Sequence, residues 1–396
     1  VGALDVEALR RSLDEIIQRH EILRACFALR NGRPSHIIVP QLILALDIED
    51  LRTSVEPDRE AQILRLTGEE ACRPFDLANG PLIRGCLFRL DDMNHVLSLT
   101  LHHIVADGWS MDVLRRELAS LYEAFKDGRP SPLPALPIQY VDLIAAQRER
   151  PKGAADRRLL EYWANQLEGA PPLLNLPWDY PRPAIQGHRG ARHPWTLEPE
   201  LARRLYEVGA RYRATPFMLL ISALGLLLSR YSRLTDFCVG TPVANRAGRE
   251  TEQLVGCFVN TVALRMDVSG NPSLPALLDR VRVMVLGAQS HQDLSFERLV
   301  DELGVVRDLG HTPLFQVMFV LEDSPSDVRR FAGLEASRLN VGTGTSVFDL
   351  TLEMARKTDG SLDAVFEYST DLFAADTIAR MAGHLQALLR QIVASP

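Results

Sequence analysis

Hydrophobic spacing gives the first reading of the chain. Leu9, Leu13, Ile16 and His20 fall on one face of a helix, and Asp5 stands where an N-cap belongs. Residues 34–39 and 42–48 read as short strands, and 82–90 and 96–105 as stronger ones. Ser110 is placed to cap a helix over 111–126, whose stripe is Leu114, Leu118, Leu121 and Phe125 and which Gly128 stops. Further helices are expected near 139–149 and 157–167. Thr215-Pro216 opens an almost wholly apolar helix to Ser229, with proline in its first turn. Strands follow at 237–243, 258–264, 315–321 and 348–354, and a last helix at about 376–393. The pattern contains no fixed-period repeat and no low-complexity tract.

Prolines divide this pattern. One run (Pro130, Pro132, Pro134, Pro137) breaks the first half, and a second (Pro171, Pro172, Pro177, Pro181, Pro183) is too dense for a helix or a central strand. With 396 residues the chain exceeds the size at which one core stops growing, so two lobes are expected. The expectation is an α/β chain with lobes at 1–170 and 185–396, joined by a proline-rich linker at 171–184.

Composition narrows the class. Apolar residues make up 46% and charged residues 24%, ordinary for a globular protein. A net charge of −7 with interleaved signs argues against nucleic acid or an anionic membrane as partner. The longest apolar run, 217–228, is too short to cross a bilayer, and no signal-peptide pattern opens the chain. Cys26, Cys72, Cys86, Cys238 and Cys257 form no CxxC pair, which fits reduced thiols in a cytoplasmic protein. Val1 is not Met and a helix signal follows at once, so the chain reads as a piece of a longer one.

One stretch carries chemistry. Alternation along 97–103 puts His103 in step with Leu97, Leu99 and Leu101, and His102 in step with Ser98 and Thr100. The two imidazoles are therefore expected on opposite faces, with His103 turned inward as a general base or proton shuttle. Asp107 and Gly108 follow in the loop before the next helix. Gly108 has no side chain, so a substrate can approach its backbone, and its N–H can face a developing oxyanion. Asp107 reads as a brace for the loop rather than a proton carrier, and His20 as a satisfied core histidine. A metal site is not expected, since the paired histidines diverge and no Cys or Glu ligand lies nearby. No GxSxG elbow, Walker loop or recognisable cysteine nucleophile is present.

The stretch His102-His103-Ile104-Val105-Ala106-Asp107-Gly108-Trp109-Ser110 resembles the HHxxxDG signature of condensation domains in nonribosomal peptide synthetases. Four further elements match that family in order. Residues 19–27 (from Arg19-His20-Glu21 to Phe27) resemble its RHExLRxxF element, and Val255-Gly256-Cys257-Phe258-Val259-Asn260-Thr261 its GxFVNT strand. His291-Gln292-Asp293-Leu294-Ser295-Phe296-Glu297 and the stretch from Arg307-Asp308 to Phe315-Gln316 resemble its two later elements. The resemblance covers essentially the whole chain. The family's first motif would lie before Val1. Ala146 stands where the family often has Trp, and Gly310-His311-Thr312 replaces a Ser-Arg-Ser type run.

The resemblance implies a chloramphenicol acetyltransferase-like fold, two similar lobes in a V-shaped pseudo-dimer with a central tunnel. It implies an acyltransferase that forms amides between substrates on the 4′-phosphopantetheine arms of an upstream donor and a downstream acceptor peptidyl carrier protein. The domain itself would bind no cofactor, and an adenylation domain would adjoin it in the same polypeptide. The resemblance places His103 midway along the tunnel, with Gly108 beside it and His102, Trp109 and Ser110 supporting the loop. It also implies an arginine bridged to Asp107, for which Arg24 is favoured over Arg19, and puts Asn260 near the lobe crossover in the substrate tunnel. The signature looks closer to domains taking L-configured donors. The family also contains starter domains that N-acylate a first amino acid from coenzyme A or a carrier, epimerisation domains and non-catalytic recruitment modules. Gly108-Trp109-Ser110 and the intact His103 favour condensation over the last two.

Overall fold

The computed structural model describes residues 1–52, 59–149, 153–246, 248–322, 329–339 and 341–395. In chain order the elements are α1 (Val6–Arg19), β1 (Ala25–Arg30), β2 (Arg33–Ile38), β3 (Leu46–Asp50), α2 (Arg59–Cys72), β4 (Ile83–Arg89), β5 (His95–Leu101), α3 (Gly108–Lys126) and α4 (Tyr140–Glu149). There follow α5 (Ala154–Leu167), β6 (Gly190–Leu197), α6 (Pro199–Arg211), α7 (Pro216–Ser232), β7 (Asp236–Val243), β8 (Asn260–Asp267), α8 (Leu274–Ser290) and α9 (Phe296–Glu302). The chain ends with β9 (Val317–Glu322), β10 (Arg329–Phe331), β11 (Leu334–Ala336), β12 (Leu350–Arg356), β13 (Leu362–Ser369) and α10 (Ala375–Ala394).

Two compact units result. The first comprises Val1–Pro151 together with Ala244–Val259 and Val328–Thr343, and the second holds the remainder. The division departs from the expected one. The 171–184 stretch is no linker, because Leu174 and Leu176 between its prolines are buried in the core of the second unit. Gln316 receives the Leu174 N–H at 2.7 Å and donates to the Pro172 carbonyl at 3.1 Å, so a side chain replaces the backbone ladder that proline forbids. Helix α5 also belongs to the second unit, through buried Trp163 and Leu167.

The first unit contains a sheet of order β3-β4-β5, a β1-β2 hairpin and a β10-β11 hairpin. Asp5 caps α1 as expected, accepting the N–H groups of Glu7 and Ala8 at 3.0 Å. Its apolar stripe packs against α3 in one core with Leu82, Leu87 and Val105. The same helix pair carries a buried polar bridge. His20 Nε2 lies 2.8 Å from Glu117 Oε2, and Arg19 donates to Glu117 Oε1 at 2.9 Å. His20 is thus the satisfied core histidine the sequence suggested.

The second unit is built on a six-stranded sheet of order β6-β13-β12-β9-β7-β8. Along β13, Leu362, Ala364, Phe366 and Tyr368 are buried and alternate with half-buried Asp363, Val365 and Glu367, so one face enters the core. Helix α7, apolar almost all round, is buried among α6, α8 and α10. Thr215 caps it and Pro216 opens it, as the sequence indicates. Gly240 on β7 lies flat against the Phe315 ring, where an added Cβ would come within 2.2 Å of a ring carbon.

Two consequences can be measured. Gly240→Ala forces Phe315 from its rotamer and is expected to destabilise the second unit by about 1–3 kcal/mol, read by urea unfolding of tryptophan fluorescence. Trp163, Trp178 and Trp195 report on that unit. Burial opposes ionisation of Glu117, but hydrogen bonds and charge from His20 and Arg19 outweigh it and hold its carboxyl below the ordinary 4.5. A carboxyl depressed on folding stabilises above its unfolded value and loses that contribution as pH falls through the folded one. The first unit should therefore weaken below about pH 4.5, and Glu117→Gln should flatten that acid limb in a pH series of melting curves.

Candidate functional site

Strand β5 stops at Leu101, four residues short of the expected end. The His102 N–H makes one last bond to the Leu82 carbonyl at 3.0 Å, after which the Val105 N–H turns back to the His102 carbonyl. The alternation that placed His103 beside the leucines therefore does not reach it. His103 lies on a turn and is exposed, not buried. His102 is half-buried, and its Nδ1 accepts the Ile104 N–H at 3.1 Å. Its ring meets Phe75 edge to face at 5.8 Å between centroids. Burial, with the neighbouring His103, pushes the His102 imidazole below its ordinary value. His102 thus shapes the turn through the bond it accepts from Ile104.

Helix α3 begins one turn earlier than expected, because Asp107 and not Ser110 is its cap. Asp107 Oδ1 accepts the Ser110 N–H at 2.8 Å and lies 2.6 Å from Ser110 Oγ. Its Oδ2 accepts the Phe258 N–H at 3.0 Å, fastening the 254–258 segment to the helix start. Ser110 Oγ is 2.9 Å from the Gly256 carbonyl and accepts the Gly256 N–H at 3.1 Å. Tyr140 donates to the Cys257 carbonyl at 2.9 Å. Its ring covers Gly256 so closely that a Cβ there would come within 2.2 Å.

The arginine on Asp107 is Arg246, which local spacing did not reveal. Its Nη2 lies 3.0 and 3.2 Å from the two carboxylate oxygens, and the two side chains are 2% and 3% exposed. Burial lowers the Arg246 value while Asp107 opposes the shift. Nη1 donates to the Thr251 and Leu254 carbonyls at 2.5 and 2.8 Å, and the guanidinium stacks 4.0 Å from the Phe258 ring centroid. Arg24, the expected partner, is turned away. It donates to the Ile17, Gln18, Val39 and Pro40 carbonyls, closing the loop ends around α1 and β2. Nothing in the neighbouring sequence marks Arg246, which follows β7 and lies 139 residues from its partner.

The remaining expected residues separate by role. Gly108 is exposed at the first position of α3, and a Cβ there would meet nothing within 4 Å, so its backbone is open to a reactant. Trp109 is exposed, and its indole N–H donates to the Glu252 carbonyl at 3.0 Å. Asn260 belongs to the second unit, where its amide donates to the Gln292 and Leu294 carbonyls and accepts from the Thr261 and Phe296 N–H groups. Those four bonds use its full capacity, so it braces the turn before α9 and has no polar atom left for a substrate. Among the described residues the His103 ring has a hydrogen-bond contact with Cys257, whose Sγ lies 3.6 Å from Nδ1.

Removing one partner of a buried ion pair strands the other charge. Asp107→Ala or Arg246→Ala should each cost the first unit about 3–5 kcal/mol, whereas exposed pairs such as Arg203–Glu207 should cost under about 1. Differential scanning calorimetry of each variant checks both halves of the expectation.

Comparison with known proteins places this site. The condensation-domain family model matches residues 1–396. A linear gramicidin synthase of Brevibacillus parabrevis is 47% identical over the whole chain, which spans 5% of that protein. The phosphinothricin tripeptide synthetase PhsC of Streptomyces viridochromogenes is 42% identical over 98% of the chain, which spans 36% of it. Among solved structures, the X-domain from teicoplanin biosynthesis aligns over the whole chain and 89% of its own, with a TM-score of 0.87 and 30% identity. A four-domain nonribosomal peptide synthetase bound to AMP and glycine aligns over 98% of the chain and 30% of its own, with a TM-score of 0.88 and 25% identity. The mixed α/β architecture, with its chloramphenicol acetyltransferase-like fold, is shared with these neighbours. The chain belongs to the condensation-domain family, the amide-forming acyltransferase domains of nonribosomal peptide synthetases.

Proposed function

We propose that the domain joins two substrates held as thioesters on the 4′-phosphopantetheine arms of carrier proteins, and that His103 is the residue that meets the attacking nitrogen. The α-amine on a downstream carrier attacks the acyl or peptidyl carbonyl on an upstream one. A C–N bond replaces the C–S bond, the amine loses a proton, and the departing thiolate gains one. The observation that carries this reading is an exposed imidazole on a turn whose anchors (Asp107, Ser110, Arg246) are buried and mutually bonded.

A thioester is already activated and an α-amine has a reference pKa near about 8, so neither reactant needs covalent help. Orientation supplies most of the acceleration, up to about 7–11 kcal/mol for well-aligned reactants. His103 takes the proton from the nitrogen as it becomes cationic, or bonds to it, and the open Gly108 N–H faces the carbonyl oxygen. The relatives are long synthetases, which supports an adjoining adenylation domain in the same polypeptide. Five cysteines without a disulfide support a reducing, cytoplasmic setting. Resemblance of the 102–110 signature supports an L-configured donor in chain elongation.

His103→Ala should lower amide formation between carrier-bound aminoacyl substrates at least about tenfold with an unchanged melting temperature. Wild-type turnover in that variant would refute the role. Offering acyl-coenzyme A against acyl carrier protein, and L against D donors, separates elongation from starter use and fixes the stereochemistry in the same assay.

A further inference from the structure

The geometry points to Cys257 as a positioning residue for His103: its sulfur accepts the Nδ1–H of the ring and so leaves the Nε2 lone pair outward, toward the amine. This inference rests on the proposed role of His103 and names the group through which that role is set.

Three observations carry it. The Sγ–Nδ1 distance of 3.6 Å suits an N–H···S contact, since sulfur is larger than oxygen. The Cys257 backbone is held on every side: Gly256 N–H to Ser110, Cys257 carbonyl from Tyr140, Phe258 N–H to Asp107. Arg246 closes the segment from the carbonyls of Thr251 and Leu254. The segment that bears the sulfur is therefore anchored, while the imidazole it touches stands on an exposed turn. An exposed histidine otherwise samples several rotamers and both tautomers, and only one combination presents an acceptor to an incoming amine. The contact selects that combination.

The buried Asp107–Arg246 pair gains a function in this arrangement. It fixes a segment whose one side chain at the reacting ring is a thiol. A thiolate is not required, because a neutral sulfur accepts a weak hydrogen bond and strengthens it as the ring becomes cationic. Removing it takes away one net hydrogen bond, equivalent to a loss of about three- to tenfold in rate.

The test compares Cys257→Ala, Cys257→Ser and His103→Ala in the intact domain, using carrier-bound substrates and a thermal melt of each variant. Cys257→Ala should lower kcat about three- to tenfold with KM for the acceptor carrier unchanged, and Cys257→Ser should recover most of the loss, since a hydroxyl oxygen also accepts the Nδ1–H. In the His103→Ala background Cys257→Ala should have no further effect, because the sulfur acts only through the ring. Wild-type kcat in Cys257→Ala, equal loss in the serine variant, or additive loss in the double variant each overturns the inference. Should Cys257→Ala unfold, alkylating the folded wild-type domain with iodoacetamide, quenched before substrates are added, decides the point. Inactivation that the Cys257→Ser variant escapes supports the inference, and full activity after alkylation of Cys257 overturns it. Loss of activity in His103→Ala together with a silent Cys257→Ala rejects this inference alone, whereas an active His103→Ala rejects the function beneath it.

Discussion

Charge withdrawn from water must be answered by charge and by hydrogen bonds, and in the first unit that demand fixes the loop that bears His103. Asp107 is bonded to a helix start, a serine hydroxyl, the backbone of 254–258 and the guanidinium of Arg246. Each bond satisfies a group that would otherwise be stranded in a dry environment, so no member moves without exposing the others. The turn bearing His103 is the outer edge of this assembly. Its exposure and its anchoring have one cause, because the anchors are buried and the ring is not.

The other motif residues extend the same construction. Arg19 and His20 converge on Glu117 across the α1–α3 contact, and His20 Nδ1 also reaches the Val255 N–H at 3.5 Å. Arg24 gathers four carbonyls where regular structure ends and no ladder partner remains. The segment 254–258 is therefore gripped from α1, from α3 and from Tyr140 on α4. A reaction whose reactants arrive already activated asks for little chemistry from the protein and for much accurate placement. The distribution of residues agrees, with one exposed imidazole backed by a dense set of structural polar groups.

Sequence pattern and structure agree best where the signal is local. The α1 cap at Asp5, the proline start of α7, the core role of His20 and the existence of β4, β5, β7, β8, β9 and β12 all follow from periodicity and capping chemistry. The end of β5 did not, since the turn at His102 depends on a bond from the Ile104 N–H to an imidazole nitrogen. The start of α3 was displaced for the same reason. Asp107 and Ser110 are both good caps, and the preference for Asp107 arises from Arg246 and Phe258, which lie far away along the chain. The proline stretch failed as a linker because proline density reports where regular hydrogen bonding is impossible and says nothing of whether the intervening leucines are buried.

The sequence alone carried the class of fold, the pair of histidines, the bracing role of Asp107 and the family resemblance, because each depends on residue identity and short spacing. Tertiary structure alone decided that Arg246 and not Arg24 answers Asp107, that His103 is exposed on a turn, that Asn260 spends its amide on the backbone, and that Cys257 touches the His103 ring. Those outcomes join groups as much as 154 residues apart, and such contacts are selected by packing and by the desolvation of charge, neither of which leaves a local mark in the chain.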